Sequence, residues 1–241
     1  MTRHRSPSWL LAMLAIPVLV AACSSGGGRT SVPTIPPATK APAATPAGSV
    51  AAVPAYPAGC PTTQPPALPA GETRTVTITT DKGDIAMKID ADLSPIATGN
   101  FVALAECGYY DGVVFHRLVP GFVIQGGDGQ FGRVPNVTGD AGMGSLPYTI
   151  KDEPVTTTYK RGTVAMARTS EPDSVGSQFF IVLDDQAAPT LAHYNTYQII
   201  GEVTAGMETV DAIAAMPNSG QGTGNAALQP VQMTKVTVAT P

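Results

Sequence analysis

The sequence predicts an all-β fold, a closed eight-stranded antiparallel β-barrel capped by two short α-helices. Three observations support this prediction. The 241-residue chain is rich in turn formers, with 25 glycines and 23 prolines, and only 13% of its residues are charged. From residue 71 onward, eight short apolar or alternating stretches are separated by turn residues, and only two stretches have helical periodicity. A closed barrel would also leave no sheet edge exposed to other chains.

The predicted domain, residues 71–241, begins with a hairpin and a helix. Residues 73–89 alternate in hydrophobicity on either side of the turn sequence Asp81-Lys82-Gly83. The first helix should start with Ser94 as its N-cap and Pro95 at its first position, and Gly108 should end it. Its predicted apolar face consists of Ile96, Phe101, Leu104 and Ala105.

Six further strands and a second helix complete the predicted domain. The strands are expected at residues 113–119, 121–127, 162–167, 177–183, 197–203 and 232–240. The second helix is expected from Gly206 to Ala215, with Met207, Val210 and Ile213 facing inward.

The N-terminus predicts a lipoprotein signal peptide over residues 1–22. Basic residues near the start precede an apolar run from Leu10 to Val20, which is shorter than the roughly 20 residues that a membrane-spanning helix needs. The following "VAAC", residues 20–23, resembles the lipobox of bacterial lipoproteins, in which the cysteine becomes the lipidated N-terminus. A lipidated Cys23 would anchor the protein at the extracytoplasmic face of the cell membrane. The alternative is an ordinary cleavage site that happens to precede a cysteine.

Residues 23–70 predict a lipid-anchored, disordered tether rich in proline, alanine and threonine. From residue 24 onward this segment contains eleven prolines but only two charges, Arg29 and Lys40, and it has no apolar periodicity. The two remaining cysteines, Cys60 and Cys107, are compatible with a disulfide in an exported protein. Two independent thiols are the alternative, since the sequence carries no information on the distance between them.

Composition and spacing argue against several function classes. A net charge of −4, with no basic run beyond the first residues, is unlike a nucleic-acid-binding protein. Gly127, Gly129 and Gly132 have the spacing of a dinucleotide-binding loop, but the prolines and glycines that follow exclude the helix which such a loop requires. Only two histidines follow the signal peptide and G-x-S-x-G is absent, so neither a serine hydrolase nor a zinc site is predicted. His116 is expected to pack on the strand face opposite Arg117.

Two motifs resemble those of a known family. "FHRLVPGFVIQGGD" (115–128) and "GTVAMARTSEPDSVGSQFFIVL" (162–183) are similar to the two signature segments of the cyclophilins, the β-barrel peptidyl-prolyl cis-trans isomerases. Weaker similarity extends from about residue 73 to the end of the chain. The resemblance implies a monomeric isomerase, in a bacterial lipoprotein form, that acts on X-Pro bonds in unfolded or flexible exported polypeptides and assists their folding. It implies no cofactor and no metal.

The resemblance also implies the residues of the site. Arg117 would be the catalytic arginine, acting with Phe122 and Gln125. The residues implied to bind substrate are Val123, Gly142, Gly144, Ala167, Arg168, Gln178, Phe180, His193 and Tyr197. The two phenylalanines and Val123 would hold the proline ring, and the two glutamines would hydrogen-bond the substrate backbone. The backbone of Arg168 would pair with the substrate chain.

The alternation of side chains along a strand and two departures from the family pattern refine the predicted site. Because side chains alternate along a strand, Gln178 and Phe180 should face the groove and Phe179 the core. Either Ala192 or His193 lies near the place where the family carries a tryptophan, whereas the single tryptophan here is Trp9 in the signal peptide. We therefore expect weak binding of cyclosporin. Tyr197 stands where many members carry a pocket histidine, and as an amphipathic aromatic residue it could still line the pocket.

These residue types suit catalysis of amide rotation, which needs no nucleophile. The barrier of about 18–20 kcal/mol arises from resonance in the C–N bond, and losing that resonance leaves a lone pair on the proline nitrogen. A guanidinium is charged at any physiological pH and would donate a hydrogen bond to that nitrogen. The alternative function is a cyclophilin-like module that binds Pro-rich segments without turnover. One such segment is the tether of this chain, which is present at high effective concentration.

Overall fold

Residues 56–240, the part of the chain that this computed structural model describes, form nine β-strands and three α-helices. The strands are β1 (Thr73–Thr80), β2 (Gly83–Asp90), β3 (Val114–Val119), β4 (Val123–Gly126), β5 (Thr163–Met166), β6 (Phe179–Val182), β7 (Ile199–Ala205), β8 (Ala226–Gln232) and β9 (Lys235–Ala239). The helices are α1 (Pro95–Glu106), α2 (Ala188–Tyr194) and α3 (Met207–Ala214), with short 3-10 turns at Asp185–Ala187 and Gln221–Thr223. Within this range no helix combines the length and the apolar character needed to cross a membrane.

The strands form one antiparallel sheet that curls into an open half-barrel. Its order is β8-β3-β4-β6-β5-β7-β2-β1-β9. The all-β prediction is confirmed, but the closed eight-stranded barrel is wrong. The expected strand at 232–240 is divided at Met233, whose N–H donates to Val113 (2.8 Å), and Thr234, whose N–H donates to Thr79 (2.8 Å). The chain thus crosses from one sheet edge to the other, and no ladder joins β8 to β9 among the described residues.

The predicted hairpin and both predicted helices are present. In β1 and β2, the facing pairs Val76–Met87 and Ile78–Ile85 are all buried, as the alternating pattern required. Ser94 is at the N-cap position of α1 and Pro95 is in its first turn, but the Ser94 hydroxyl makes no capping hydrogen bond. A third helix, α2, was not predicted.

The N-terminus of α1 is capped from a distant part of the chain. The carboxylate of Glu153 accepts hydrogen bonds from the N–H groups of Ile96 (2.8 Å) and Ala97 (2.9 Å). These N–H groups have no partner inside the helix, and a negative charge is favourable at this end of the helix dipole. Glu153 therefore supplies the cap that the sequence suggested for Ser94.

The sheet carries a core on each face. The main core lies on the face covered by α1 and α3, where the Phe179 ring meets those of Phe101 (5.3 Å) and Phe115 (6.1 Å). The second core lies on the other face, where Phe180 packs with residues of α2 such as Leu191. Neighbouring Phe179 and Phe180 thus serve different cores, which confirms the predicted parity.

Residues 56–70, assigned above to the tether, pack against the domain. Leu68 is buried, and its N–H donates to the carbonyl of Pro95 in α1 (3.0 Å). Cys60 is joined by a disulfide to Cys107, which follows α1, so the structure contains the bridge that the sequence left open. The predicted signal peptide, Cys23 and the remainder of the tether lie outside the described residues.

Candidate active site

The sheet register aligns the key side chains in one row. Arg117 in β3 faces Gln125 in β4, Gln125 faces Phe180 in β6, and Phe180 faces Ala165 in β5. Residues directly opposite each other in a sheet project from the same face and are near neighbours. Four adjacent strands therefore bring a guanidinium, an amide and an aromatic ring side by side.

A β-bulge at His116 turns Arg117 toward this face. The pairing of β3 with both of its neighbours shifts between Phe115 and Arg117. Residues two apart on a regular strand share a face, but the extra residue of a bulge breaks that alternation. Phe115 accordingly packs in the main core while Arg117 lies on the opposite face with Gln125 and Phe180.

The row borders a small cavity of about 130 Å³. Its lining residues are Arg117, Phe122, Val123, Gln125, Ala167, Arg168, Phe180, Leu191 and Tyr197. The floor is apolar, because Val123 and Phe180 are nearly fully buried, and the Tyr197 ring meets Phe180 edge-on at 5.4 Å. The cavity can thus hold a small apolar group beside one cationic donor.

Eight of the predicted site residues line this cavity, but His193 does not. His193 is exposed on α2, and its ring meets that of Tyr194 edge-on (5.3 Å). Leu191, which sequence reasoning missed, contributes the α2 contact instead. At 100° per residue, His193 points about 200° away from Leu191 around the helix. Pro189 near the helix start and the buried pair Ala187 and Leu191 were the signals that could have revealed α2.

Hydrogen bonds orient the Arg117 side chain. Its Nη1 donates to Gln125 Oε1 (3.2 Å), and its Nε donates to the carbonyl of Gly224 (3.2 Å). Its Nη2 makes no hydrogen bond with any residue between 56 and 240. One end of the guanidinium is therefore held while the other is free to meet a ligand.

The two glutamines form an amide chain, defined here as Gln125 and Gln178. Gln125 Nε2 donates to Gln178 Oε1 (3.0 Å), and Gln178 Nε2 donates to the carbonyls of Gly142 (3.0 Å) and Gly144 (3.1 Å). Both N–H groups of Gln178 are thus used inside the protein. A further hydrogen bond between Gln178 and a substrate backbone could therefore be made only through its Oε1, which accepts a single bond from residues 56–240 and has a second lone pair.

A second cavity, of about 250 Å³, adjoins the first. It shares Gln125, Ala167 and Arg168 with the first cavity, and Gly142 and Gly144 lie along its edge. Both glycines are required: Gly142 has φ of +103°, and a Cβ on Gly144 would overlap Asp128 Oδ1. The two predicted glycines thus line the second cavity and not the first.

Arg168 contributes its backbone to the groove. Its side chain is only 8% exposed, and its Nη1 pairs with Asp152 (2.9 Å), while Nη2 donates to the carbonyl of Glu171 (2.7 Å). Its backbone N–H and carbonyl make no hydrogen bond with the described residues. Such unpaired backbone groups can accept another chain in extended conformation.

His116 is a buried neutral residue under the groove. Burial lowers the pKa of His116 to about 4, and the nearby charge of Asp128 opposes that shift while Arg117 adds to it. A Cβ on Gly142 would lie 3.0 Å from the His116 ring. The ring thus lies beneath the edge of the groove. The prediction that His116 packs on the strand face opposite Arg117 is wrong, because the bulge breaks the alternation of side chains along β3.

The glycine-rich stretch after β4 does not form a phosphate-binding loop. No helix lies between β4 and β5, so the helix that such a loop requires is missing. A Cβ on Gly129 would lie 2.6 Å from the Tyr109 ring, which indicates that this glycine allows close packing. Among residues 56–240, no three His, Cys, Asp or Glu side chains are grouped to hold a metal ion.

Comparison with known proteins identifies related sequences and structures. The family model described as cyclophilin type peptidyl-prolyl cis-trans isomerase/CLD matches residues 75–238. A probable peptidyl-prolyl cis-trans isomerase of Brucella abortus (strain 2308) is 39% identical over 146 residues, which cover 58% of this chain and 70% of that protein. Peptidyl-prolyl cis-trans isomerase A of Dickeya dadantii is 36% identical over 165 residues, covering 65% of this chain and 80% of that protein.

Two solved structures share the fold. A cyclophilin type peptidyl-prolyl cis-trans isomerase of Cryptosporidium parvum superposes with a TM-score of 0.58 at 26% identity, covering 70% of this chain and 99% of that one. The same protein crystallised in the presence of the dipeptide Ala-Pro has a TM-score of 0.56 at 28% identity, covering 69% of this chain and 99% of that one.

Proposed function

The chain belongs to the cyclophilin-type peptidyl-prolyl cis-trans isomerases, and we propose that it catalyses X-Pro rotation in exported polypeptides outside the cytoplasmic membrane. In this proposal the protein is a monomer, assists folding and is held at the membrane by a lipid on Cys23. One observation supports Arg117 as the catalytic residue: its guanidinium borders a small cavity with an apolar floor, and its Nη2 has no hydrogen-bond partner among residues 56–240.

The proposed chemistry is a hydrogen bond that strengthens as the amide twists. Uncatalysed X-Pro rotation takes tens to hundreds of seconds, because resonance gives the C–N bond partial double-bond character. In the twisted state the proline nitrogen carries a lone pair, and Arg117 Nη2 would donate to it. A preorganised donor of this kind contributes about 3–4 kcal/mol, or roughly a hundred- to a thousandfold in rate.

The remaining site residues would hold the substrate. The proline ring would occupy the cavity against Phe122, Val123 and Phe180, with Tyr197 at its side. The backbone N–H and carbonyl of Arg168, which have no partner between residues 56 and 240, would pair with the substrate chain. The Cryptosporidium parvum relative crystallised in the presence of Ala-Pro supports a proline-containing ligand at this fold.

Arg117→Ala tests the proposed mechanism. In the full chain, this variant should lower kcat/KM for a peptide with a cis X-Pro bond by at least tenfold, up to roughly a thousandfold. Arg74→Ala is the matched control, because Arg74 lies in β1 and pairs with Glu72 (2.6 Å) away from the cavity. A folded wild-type protein with no rate above background would support the alternative of a Pro-rich-segment binder without turnover.

The proposed location can be tested at Cys23. The lipobox-like "VAAC" supports lipidation, and the Cys60–Cys107 disulfide supports an oxidising compartment. Fractionation of expressing cells should find the wild-type protein with the membranes and Cys23→Ser released from them. A Cys23→Ser protein that stays with the membranes would contradict the lipid anchor.

Weak cyclosporin binding remains a prediction for this chain. The family tryptophan is absent from residues 56–240, and the exposed His193 on α2 lies near its expected place. Titration calorimetry should therefore give at most weak binding, and tight binding would contradict the prediction.

A further inference from the structure

We infer that Asp128 is a positioning residue of the isomerase, because its carboxylate sets the polarity of the amide chain that holds Arg117. The inference rests on the proposed role of Arg117. Asp128 is not among the residues that line the first cavity, and it acts through the loop at Gly142 and Gly144.

The Asp128 carboxylate is buried and fully engaged. The residue is 1% exposed, and its two oxygens accept four backbone N–H groups. Oδ1 accepts from Gln130 (2.9 Å) and Phe131 (3.0 Å), whereas Oδ2 accepts from Gly142 (2.7 Å) and Gly144 (2.8 Å). A buried carboxylate is tolerated when its oxygens are fully hydrogen-bonded. The hydrogen bonds to Oδ2 therefore hold the backbone at Gly142 and Gly144 in a fixed position relative to Asp128.

The loop fastened by Asp128 determines how Gln178 is oriented. The same two glycines that donate to Asp128 accept both N–H groups of Gln178. Were the Gln178 amide flipped, its oxygen would face two carbonyl oxygens and no donor. The loop therefore forces the Gln178 oxygen to point toward Gln125.

The orientation of Gln178 is passed on to Arg117. With the Gln178 oxygen facing it, Gln125 must present its Nε2 there, and so its own oxygen faces Arg117 Nη1. A reversed chain would place two donors, an amide nitrogen and the guanidinium, against each other. The polarity that starts at Asp128 thus gives Arg117 an acceptor at one end and leaves Nη2 for the substrate.

The loop that Asp128 binds is not held in place by regular secondary structure. Residues 127–162 contain neither strand nor helix, so the loop at Gly142 and Gly144 depends on individual hydrogen bonds for its position. A side chain at Gly144 would overlap Asp128 Oδ1, which shows how closely the loop approaches the carboxylate. Losing these bonds should leave the amide chain free to reorient.

Asp128→Asn in the full chain tests the inference. One oxygen becomes an NH₂ group, which cannot accept from the N–H groups that face it. We expect kcat to fall about tenfold, less than the roughly hundredfold cost of displacing a group by 1 Å. KM should change less than twofold, because the proposed contacts to the proline ring, Val123 and Phe180, are positioned by β4 and β6 and not by the hydrogen bonds of Asp128. Magnetisation-exchange NMR on an Ala-Pro peptide would give kcat and KM, with kcat calculated from the concentration of folded protein.

Glu153→Gln is the matched control. Its carboxylate also accepts two backbone N–H groups, but at the start of α1 and away from the amide chain. This variant should lose stability and keep its kcat. If Asp128→Asn behaves the same way, with lower stability and unchanged kcat, Asp128 is only structural and the inference is overturned.

Gln178→Leu provides a second test that does not depend on the folding of Asp128→Asn. It should lower kcat and leave KM within twofold, and an unchanged kcat would overturn the inference by itself. In the double variant, Asp128→Asn should cause no further loss, because both changes break the same chain. Additive losses would also overturn it. A folded wild-type protein without activity would refute the proposed function itself, an outcome distinct from an active wild type with an unaffected variant.

Discussion

His116 shows how one residue can serve the site without touching a substrate. It occupies the bulge that turns Arg117 toward the groove, and it is only 5% exposed. Neither of its ring nitrogens has a hydrogen-bond partner among the described residues. A neutral ring can remain there, but a protonated ring would be a buried charge in need of a partner. The bulge therefore favours the neutral histidine.

This burial makes folding stability depend on pH. The pKa of His116 is about 4 in the folded protein, against an ordinary value of 6.5, so the unfolded chain binds the proton more readily. The stabilisation is complete above pH 6.5 and is lost as the pH falls toward 4. The loss should reach about 3 kcal/mol. Urea unfolding at pH 7 and pH 4 measures it.

Two variants separate this effect from general acid sensitivity. His116→Gln should lose less stability than the wild type between pH 7 and pH 4, whereas His193→Gln, at an exposed position, should lose the same amount as the wild type. Equal losses in all three proteins would show that His116 does not cause the pH dependence.

At the scale of elements, α1 is shaped to receive the segment at residues 56–70. Gly99 faces that segment: a Cβ there would overlap the Pro66 carbonyl oxygen and lie 2.8 Å from the Leu68 nitrogen. A glycine inside a helix ordinarily costs about 1 kcal/mol relative to alanine. Close packing of backbone on backbone is the reason for a glycine at this position.

Gly99→Ala should therefore destabilise the protein despite the better helix propensity of alanine. We expect a loss of about 1–3 kcal/mol in the free energy of unfolding, typical of an overpacked contact. Gly139→Ala is the control, because a Cβ there meets nothing within 4 Å. Chemical denaturation of both variants decides the matter: a more stable Gly99→Ala would mean that the segment does not pack on α1 in solution.

At the scale of the whole molecule, local patterns predicted the elements well. The alternation in residues 73–89 and the Ser94-Pro95 start of α1 are local signals, and both elements formed where expected. Strand periodicity predicted that Phe179 and Phe180 face opposite sides, and the resemblance implied that Phe180 is the one in the groove. Most residues lining the first cavity were found from motif resemblance, since the two motifs place them on adjacent strands.

Features that depend on distant contacts could not be predicted. β8 was not predicted. It contains Pro230, which is tolerated because β8 is an edge strand whose one partner among the strands of residues 56–240 is β3. The short helix α2 buries only Leu191, so its local signals were limited to Pro189 and the spacing of Ala187 and Leu191. The role of Asp128 depends on glycines 14 and 16 residues away, and no local pattern marks that contact. The bulge likewise became visible only in the register of β3 with its neighbours.

The disulfide between Cys60 and Cys107 also determines how the fold would carry mechanical force. The residues between the two cysteines include β1, β2 and α1. When the chain is pulled from its two ends, tension entering at Cys60 crosses the disulfide to Cys107 and does not pass along the backbone between them. The β1–β2 hairpin and α1 are therefore shielded from the applied force, which acts on the strands from β3 onward.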